Sequence, residues 1–263
     1  MEIIEGKLNR KMEYFDTKNY EFNTECKNGV YIIHGFTNST YETRELAEYL
    51  GNQGFYTHAI NLPGHGTTPE DCNRVKITDW LEFTEQGVAE MSARCDKVYV
   101  IGISMGSVLA LHLSSVFPLN GAVFASTVLK FKDYFSTQIF TPIFHRLVPY
   151  RDKRLSYKKN VRDSLNYYGY KVWPLSALNE MRKLTNQVKK ELHKIKCPAL
   201  VLHSEIDLLA LQENISIVYD GISSDIKEKF IVKQANHNLF ITNPDQDLIF
   251  KKITSFFNQL RNN

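Results

Sequence analysis

Short apolar runs alternate with segments of helical periodicity along most of the chain. The runs are rich in β-branched and aromatic residues, which is typical of strands, and the amphipathic segments between them predict helices. The predicted strands are 29–33, 56–61, 98–101, 120–125, 199–203 and 229–232, and the predicted helices are 40–51, 77–91, 105–113, 176–193, 211–220 and 244–260. This alternation predicts a mostly parallel α/β sheet that is covered by helices on both faces.

Two regions depart from this alternation. Residues 3–27 alternate loosely and carry several aromatic residues, which predicts one or two antiparallel strands at a sheet edge. Residues 127–196 contain no strong strand pattern, are crowded with aromatic residues and interleave them with lysine and arginine. We therefore expect a core formed by residues 1–126 and 197–263, with residues 127–196 inserted as helices and loops.

The aromatic residues of the insertion have two plausible environments. We expect them to divide between an ordinary buried core and an apolar groove for a ligand. The interleaved lysine and arginine residues are expected to form a solvated face rather than a phospholipid-binding patch.

A G-x-S-x-G pentapeptide, Gly102 to Gly106, joins the strand at 98–101 to the helix that follows. A strand that turns directly into a helix is the context of a nucleophile elbow, in which a serine projects from a very tight turn. Glycine on both sides of the serine removes the clash of side chains with the neighbouring backbone. The pattern predicts Ser104 as a nucleophile. The alternative is an ordinary strand–helix loop in which Ser104 only caps the helix.

A serine hydroxyl needs a base to take its proton and a further group to orient that base. His237 follows the last predicted strand and is the candidate base, whereas Asp207 follows the strand at 199–203 and is the candidate acid. Glu205, two positions earlier, is the rival acid. The carboxyl ends of parallel strands share one rim of the sheet, so we expect these side chains to converge with Ser104 there.

Attack on a carbonyl builds negative charge on its oxygen, which preorganised backbone amides must stabilise. The residue after the nucleophile, Met105, is expected to supply one amide. The second is expected from Phe36, in the His34-Gly35-Phe36 sequence that follows an apolar strand. Gly35 permits close backbone approach, and His34 is expected to brace this loop.

Composition restricts the class of protein. The chain has 263 residues, of which 43% are hydrophobic, and this suits one α/β domain that carries an insertion. A net charge of +3 gives no reason to expect a nucleic-acid partner. The charged first residues lack a signal-peptide core, and no run approaches the ~18 apolar residues of a membrane span. Four cysteines without a C-x-x-C motif predict reduced thiols in a cytoplasmic protein, and no metal-binding cluster stands out.

Together, these motifs resemble the α/β-hydrolase superfamily. The loop NLPGHG at 61–66 is similar to that of bacterial carboxylesterases and monoacylglycerol lipases. The resemblance implies an eight-stranded sheet whose second strand is antiparallel, and a helical cap formed by residues 127–196. The chain departs from the family pattern at Ser107, where relatives often have a third glycine, and at 203–207, which lacks a glycine common before the acid.

The resemblance implies a serine hydrolase that cleaves carboxylic esters through an acyl-enzyme intermediate. We expect small-molecule esters of short or medium acyl chains, with monoacylglycerols among the candidates, and no metal or organic cofactor. Two alternatives remain open. One is a different reaction on the same residues, such as hydrolysis of a feruloyl ester, a lactone, a peptide or a carbon–carbon bond. The other is a hydrolase fold that binds a ligand without catalysis.

Overall fold

The computed structural model describes residues 14–156, 166 and 168–261. In this part of the chain the strands are β1 (Tyr20–Phe22), β2 (Asn28–Ile33), β3 (Tyr56–Ile60), β4 (Lys97–Ile103), β5 (Gly121–Ala125), β6 (Tyr150–Asp152), β7 (Val172–Pro174), β8 (Ala199–Ser204) and β9 (Lys227–Val232). The six apolar runs of the sequence form β2, β3, β4, β5, β8 and β9, as predicted.

Seven of these strands form one sheet in the order β1-β3-β2-β4-β5-β8-β9. Strand β1 runs antiparallel to β3 at the edge, and the other neighbours are parallel. The prediction of a mostly parallel sheet with an antiparallel edge is confirmed. The described residues give this sheet seven strands rather than the eight that the resemblance implied. Residues 3–13 of the predicted edge region lie outside the described part of the chain.

Helices lie between the strands. They are α1 (Arg44–Asn52), α2 (Pro69–Arg74), α3 (Ile77–Arg94), α4 (Met105–Val116), α5 (Thr141–Phe144), α6 (Leu175–Val188), α7 (Glu213–Gly221) and α8 (Gln246–Arg261). All except α2 and α5, for which no helix bounds were predicted, lie within about five residues of their predicted bounds. A 3-10 turn at Thr40–Glu42 precedes α1, and a second at Lys153–Ser156 follows β6.

The sheet separates two hydrophobic cores. Along β2, Tyr31 and Ile33 belong to one core while Val30 and Ile32 belong to the other, because side chains alternate between the faces of a strand. Helices α3, α4, α6 and α7 bury their apolar residues in the first core, and α1 and α8 bury theirs in the second. Burial on both faces explains why the central strands are continuously apolar.

The segment between β5 and β8 contains a small second sheet. Strands β6 and β7 pair antiparallel, with Tyr150 opposite Pro174. The expectation that this segment holds only helices and loops was therefore wrong. Each strand has three residues, which is too short for an alternating pattern to be recognised. Residues 157–165 and 167 of this segment lie outside the described residues.

Two kinds of structure are absent from the described residues. No helix there combines the length and the apolar character that crossing a bilayer requires. The same residues contain no group of three or more His, Cys, Asp or Glu side chains placed to hold a metal ion.

A buried histidine joins α4 to two neighbouring elements. His112 Nε2 lies 2.8 Å from Glu85 Oε1 on α3, and its Nδ1 lies 2.9 Å from Glu191 Oε2, beyond α6. Both ring nitrogens face carboxylates, so only the imidazolium can donate to both. Burial alone would raise the pKa of Glu191, but hydrogen bonds from His112 and Gln187 outweigh it and lower that pKa. His112 thus holds the helix behind Ser104 against its neighbours.

We predict that His112→Ala lowers the free energy of unfolding by about 2–3 kcal/mol, because the half-buried Glu191 carboxylate loses the His112 donor and keeps only its hydrogen bond from Gln187. Urea denaturation followed by circular dichroism measures this loss. Glu85→Ala is the matched control and should cost less than about 1 kcal/mol, because the Glu85 side chain is 41% exposed. Equal losses in the two variants would contradict the role given to the buried pair.

Candidate active site

Ser104 occupies a strained turn between β4 and α4. Its backbone has φ 57° and ψ −115°, in a region that side-chain-bearing residues rarely adopt. A Cβ atom at Gly102 would lie 2.1 Å from the Gly106 carbonyl oxygen, and one at Gly106 would lie 2.2 Å from the Ile33 carbonyl oxygen. Both contacts are with backbone, so only glycine fits at either position. The pentapeptide therefore forms the tight elbow that the sequence predicts.

Asp207 and His237 meet at the carboxyl ends of β8 and β9. His237 Nδ1 donates to Asp207 Oδ2 at 2.8 Å, and the Asp207 side chain is 1% exposed. The other carboxylate oxygen of Asp207 accepts the Leu209 and Ala210 amides, each at 2.8 Å. The rival acid, Glu205, is exposed. The structure thus brings Asp207 rather than Glu205 to His237.

The two side chains shift each other's pKa in opposite directions. Burial would raise the pKa of Asp207, but the charge and hydrogen bond of His237 and the two amides lower it overall. Burial would lower the pKa of His237, but the Asp207 carboxylate raises it overall, with help from the charge of Glu42. The pair therefore favours an ionised carboxylate beside an imidazole that accepts a proton readily.

The loop that carries His237 is fastened at several points. Asp245 Oδ2 accepts three successive backbone amides at the start of this loop, those of Lys233, Gln234 and Ala235, at 2.6 to 3.0 Å. Ser126 Oγ, directly after β5, donates to the His237 carbonyl oxygen at 3.0 Å. These bonds fix the backbone around His237 without help from Ser104 or Asp207.

Ser104 and His237 line the same cavity, which has a volume of about 390 Å³. Within the described part of the chain, Ser104 Oγ and His237 Nε2 form no hydrogen bond with each other or with another residue. Hydrogen bonds of this kind commonly tighten only when substrate binds. The Ser104 hydroxyl and a ring nitrogen of His237 therefore lie at one cavity, and neither is hydrogen-bonded to any other described residue.

Two backbone amides are candidates for binding an oxyanion. Among the described residues, the amides of Phe36 and Met105 donate to no acceptor. Phe36 lines the cavity with Ser104, whereas Met105 does not line it and is placed by following Ser104 at the start of α4. A helix N-terminus adds favourable potential for an anion there.

His34 braces the loop that presents Phe36, as the sequence predicts. Its Nδ1 donates to the Gly35 carbonyl oxygen at 2.8 Å, and its Nε2 accepts the Leu62 amide at 3.1 Å. This pattern requires the neutral ring with the proton on Nδ1. Burial lowers the pKa of His34 to about 4, despite the bond to Gly35.

Two charged residues of the cavity were missed by sequence reasoning. Glu42 is 1% exposed and Lys153 is 7% exposed, and both line the cavity with Ser104. Lys153 lies in the basic run Arg151–Arg154, for which a solvated face was expected, and that expectation was wrong for this lysine. Glu42 lies in a segment whose periodicity predicted only a helix. No local pattern distinguishes either from an exposed charge.

The aromatic and aliphatic lining comes largely from the segment between β5 and β8. The apolar residues that it contributes to the cavity are Val128, Phe131, Leu155, Trp173, Leu175, Leu178 and Met181. Other aromatic residues of the same segment, such as Tyr170, are fully buried. The segment therefore divides its apolar residues between a core and a groove, as expected.

Comparison with known proteins identifies the family. The family model described as serine aminopeptidase, S33 (Hydrolase_4) matches residues 24–245, which is most of the chain. The chain belongs to this family of serine hydrolases. The resemblance to α/β-hydrolases that the sequence motifs suggested is thereby confirmed.

Relatives of this chain include lipolytic enzymes. It is 30% identical to the thermostable monoacylglycerol lipase of Bacillus sp. (strain H-257) over 87% of this chain and 90% of that protein. It is 22% identical to the carboxylesterase of Bacillus subtilis (strain 168), over 88% and 92%. Among solved structures, a chain described under LipS and LipT, two metagenome-derived lipolytic enzymes, gives a TM-score of 0.78 at 23% identity, over 94% of this chain and 98% of that chain. That likeness shows the α/β-hydrolase fold.

We predict that His34 remains neutral down to a pH of about 4, with its proton on Nδ1. A folded pKa below the unfolded one means that this histidine stabilises the fold above pH 6.5 and that the contribution is lost as pH falls towards 4. Nitrogen-15 NMR of the imidazoles measures both pKa and tautomer, and His34→Gln identifies the resonance. A His34 that titrates near 6.5, or that carries its proton on Nε2, would contradict the bracing role.

Proposed function

We propose that this chain hydrolyses carboxylic esters through an acyl-enzyme intermediate formed on Ser104. The observation that carries the proposal is the 2.8 Å bond between His237 Nδ1 and Asp207 Oδ2 at the cavity where Ser104 stands in a strained elbow. Membership of a serine hydrolase family supports the same chemistry. In this proposal Ser104 is the nucleophile, His237 the general base and Asp207 the group that orients it.

The reaction follows from this arrangement. As Ser104 Oγ attacks the ester carbonyl carbon, His237 Nε2 takes the hydroxyl proton and becomes an imidazolium beside the ionised Asp207. His237 then gives that proton to the alcohol oxygen as the carbon–oxygen bond breaks, which leaves the acyl group on Ser104. Water, activated by His237, attacks the acyl-enzyme and releases the acid. Asp207 stays ionised throughout, in keeping with its lowered pKa.

The tetrahedral intermediates carry a negative oxygen, which we assign to the amides of Phe36 and Met105. Their lack of an acceptor among the described residues supports this assignment, because a preorganised donor needs no rearrangement during the reaction. His34 and Gly35 act as positioning residues through the hydrogen bonds that fix the Phe36 peptide.

We propose that the substrates are small esters with short or medium acyl chains, with monoacylglycerols among them. The relatives named as a monoacylglycerol lipase and a carboxylesterase support this range. The apolar part of the cavity wall suits an acyl chain. The family description, serine aminopeptidase, makes peptide cleavage the second candidate. Comparing 4-nitrophenyl esters with aminoacyl 4-nitroanilides separates the two.

We also propose that residues 127–196 act as a cap over the cavity. This segment contributes side chains to the cavity wall, and Tyr170 fastens it to the core. The Tyr170 amide donates to Thr37 O at 2.8 Å, and its hydroxyl donates to Gly64 O at 2.9 Å.

Four free cysteines fit a reducing compartment, so we propose a cytoplasmic location.

We predict that Ser104→Ala lowers kcat/KM for 4-nitrophenyl butyrate by about 10⁴-fold or more, because the acyl-enzyme can no longer form. Steady-state release of 4-nitrophenol measures this. Ser107→Ala is the matched control: Ser107 lies on the same helix but its hydroxyl bonds to Thr127 at 2.6 Å, so activity should stay within a few-fold of the wild type. Turnover that survives in Ser104→Ala would overturn the proposed function.

A further inference from the structure

The cavity wall carries charges outside the Ser104, His237 and Asp207 group. They are Glu42, Lys132, Asp133, Arg151 and Lys153. Arg151 is paired with Asp133 at 3.8 Å and also donates to Ser136 Oγ at 2.7 Å. Lys132 is exposed and donates to the Leu208 carbonyl oxygen. Glu42 and Lys153 are the two that lie deep.

Lys153 presents a buried amino group that has an unused hydrogen-bond donor when it is protonated. Its Nζ donates to the Tyr168 carbonyl oxygen at 3.0 Å and lies 4.8 Å from the centre of the Trp173 ring. In the described part of the chain, no carboxylate lies within 4 Å of this nitrogen. An ammonium has three N–H donors. The carbonyl takes one and the ring attracts the charge weakly, so among the described residues at least one donor of this cavity-lining lysine has no acceptor.

The surrounding residues stabilise the positive charge of protonated Lys153 only in part. Burial lowers the pKa of Lys153 to about 7, and the more distant Glu42 partly opposes that shift. The Glu42 carboxylate is itself committed, because its Oε2 accepts the Gly35 amide at 2.7 Å. Burying an ammonium without a close anion is costly, and a ligand carboxylate at hydrogen-bond distance would offset that cost.

Trp173 holds the lysine and the loop of the proposed oxyanion site together. Its ring stacks on Phe36 with the centroids 6.0 Å apart and the planes 6° from parallel. Lys153 lies over the same Trp173 ring. The Trp173 ring therefore contacts both the Lys153 amino group and Phe36, whose amide we assign to the oxyanion. All three residues line the same cavity as Ser104.

We propose that Lys153 is a specificity-determining residue that binds an ionised carboxyl group on the ester, so that the substrates of this chain include esters bearing a second, charged carboxylate. The inference rests on the proposed ester hydrolysis at Ser104. It names the chemistry of the substrate, and the carboxylate can belong either to the acyl part or to the alcohol part.

Two matched pairs of substrates test this. Mono-4-nitrophenyl adipate and 4-nitrophenyl hexanoate differ by a carboxylate at the far end of the acyl chain. The butyrate ester of 4-hydroxybenzoate and phenyl butyrate differ by a carboxylate on the alcohol part. The measurement is the ratio of kcat/KM for the charged ester to that for the neutral ester, in the wild type, Lys153→Met and Lys153→Gln. Lys132→Met is the matched control, since it removes an exposed cation from the same wall.

We expect the ratio for one pair to fall by about tenfold or more in both Lys153 variants, because a desolvated ion pair is lost, and to stay unchanged in Lys132→Met. The pair that responds shows which part of the substrate carries the carboxylate. Labelling of Ser104 by a fluorophosphonate verifies that each variant is folded with an accessible site.

An unchanged ratio for both pairs in Lys153→Met and Lys153→Gln, with neutral esters still hydrolysed, would overturn the inference and leave Lys153 as a support for the Tyr168 backbone. An equal fall in Lys132→Met would also overturn it, because the effect would then come from general charge. If the wild type hydrolyses none of the four esters, the proposed function fails, and this inference fails with it.

Discussion

The candidate site depends on the close approach of α4 to the backbone of β2. Gly106 lies so near the Ile33 carbonyl oxygen that a methyl group could not be accommodated, and Gly102 lies equally near Gly106. This packing forces Ser104 to a positive φ, at a cost of about 1–3 kcal/mol that the surrounding sheet must overcome. As a result, Ser104 lines the cavity, and Met105 begins the helix. The Met105 amide has no acceptor among the described residues.

The other parts of the site come from the ends of neighbouring parallel strands. The loop after β2 supplies Phe36, the loop after β8 supplies Asp207, and the loop after β9 supplies His237. Each loop is held by its own bonds: Gly35 to Glu42, Asp207 to two amides, and the start of the His237 loop to Asp245. Because the loops are fixed independently, the site is positioned before a substrate arrives.

Much of this could be predicted from sequence because the signals are local. The apolar run before Gly102 and the helical spacing after it fix the strand, the helix and the turn between them, and Ser104 follows from that turn. Asp207 and His237 follow from the shared rim of a parallel sheet. Glu42 and Lys153 could not be found in this way, because their burial depends on Trp173, Tyr168 and Gly35, which are distant in the chain or recognisable only in three dimensions. Strands β6 and β7 were missed because three residues give no period.

In the proposed mechanism, Ser104 attacks a carbonyl carbon, and the backbone amides of Phe36 and Met105 donate hydrogen bonds to the carbonyl oxygen. A crystal structure of the protein after reaction with a fluorophosphonate tests it most directly, because the phosphonate mimics the tetrahedral intermediate. We expect the phosphorus on Ser104 Oγ, with its oxygen about 2.7–3.1 Å from the amide nitrogens of both Phe36 and Met105 and His237 Nε2 beside the serine oxygen. A phosphonate on another residue, or one whose oxygen faces away from these two amides, would contradict the account.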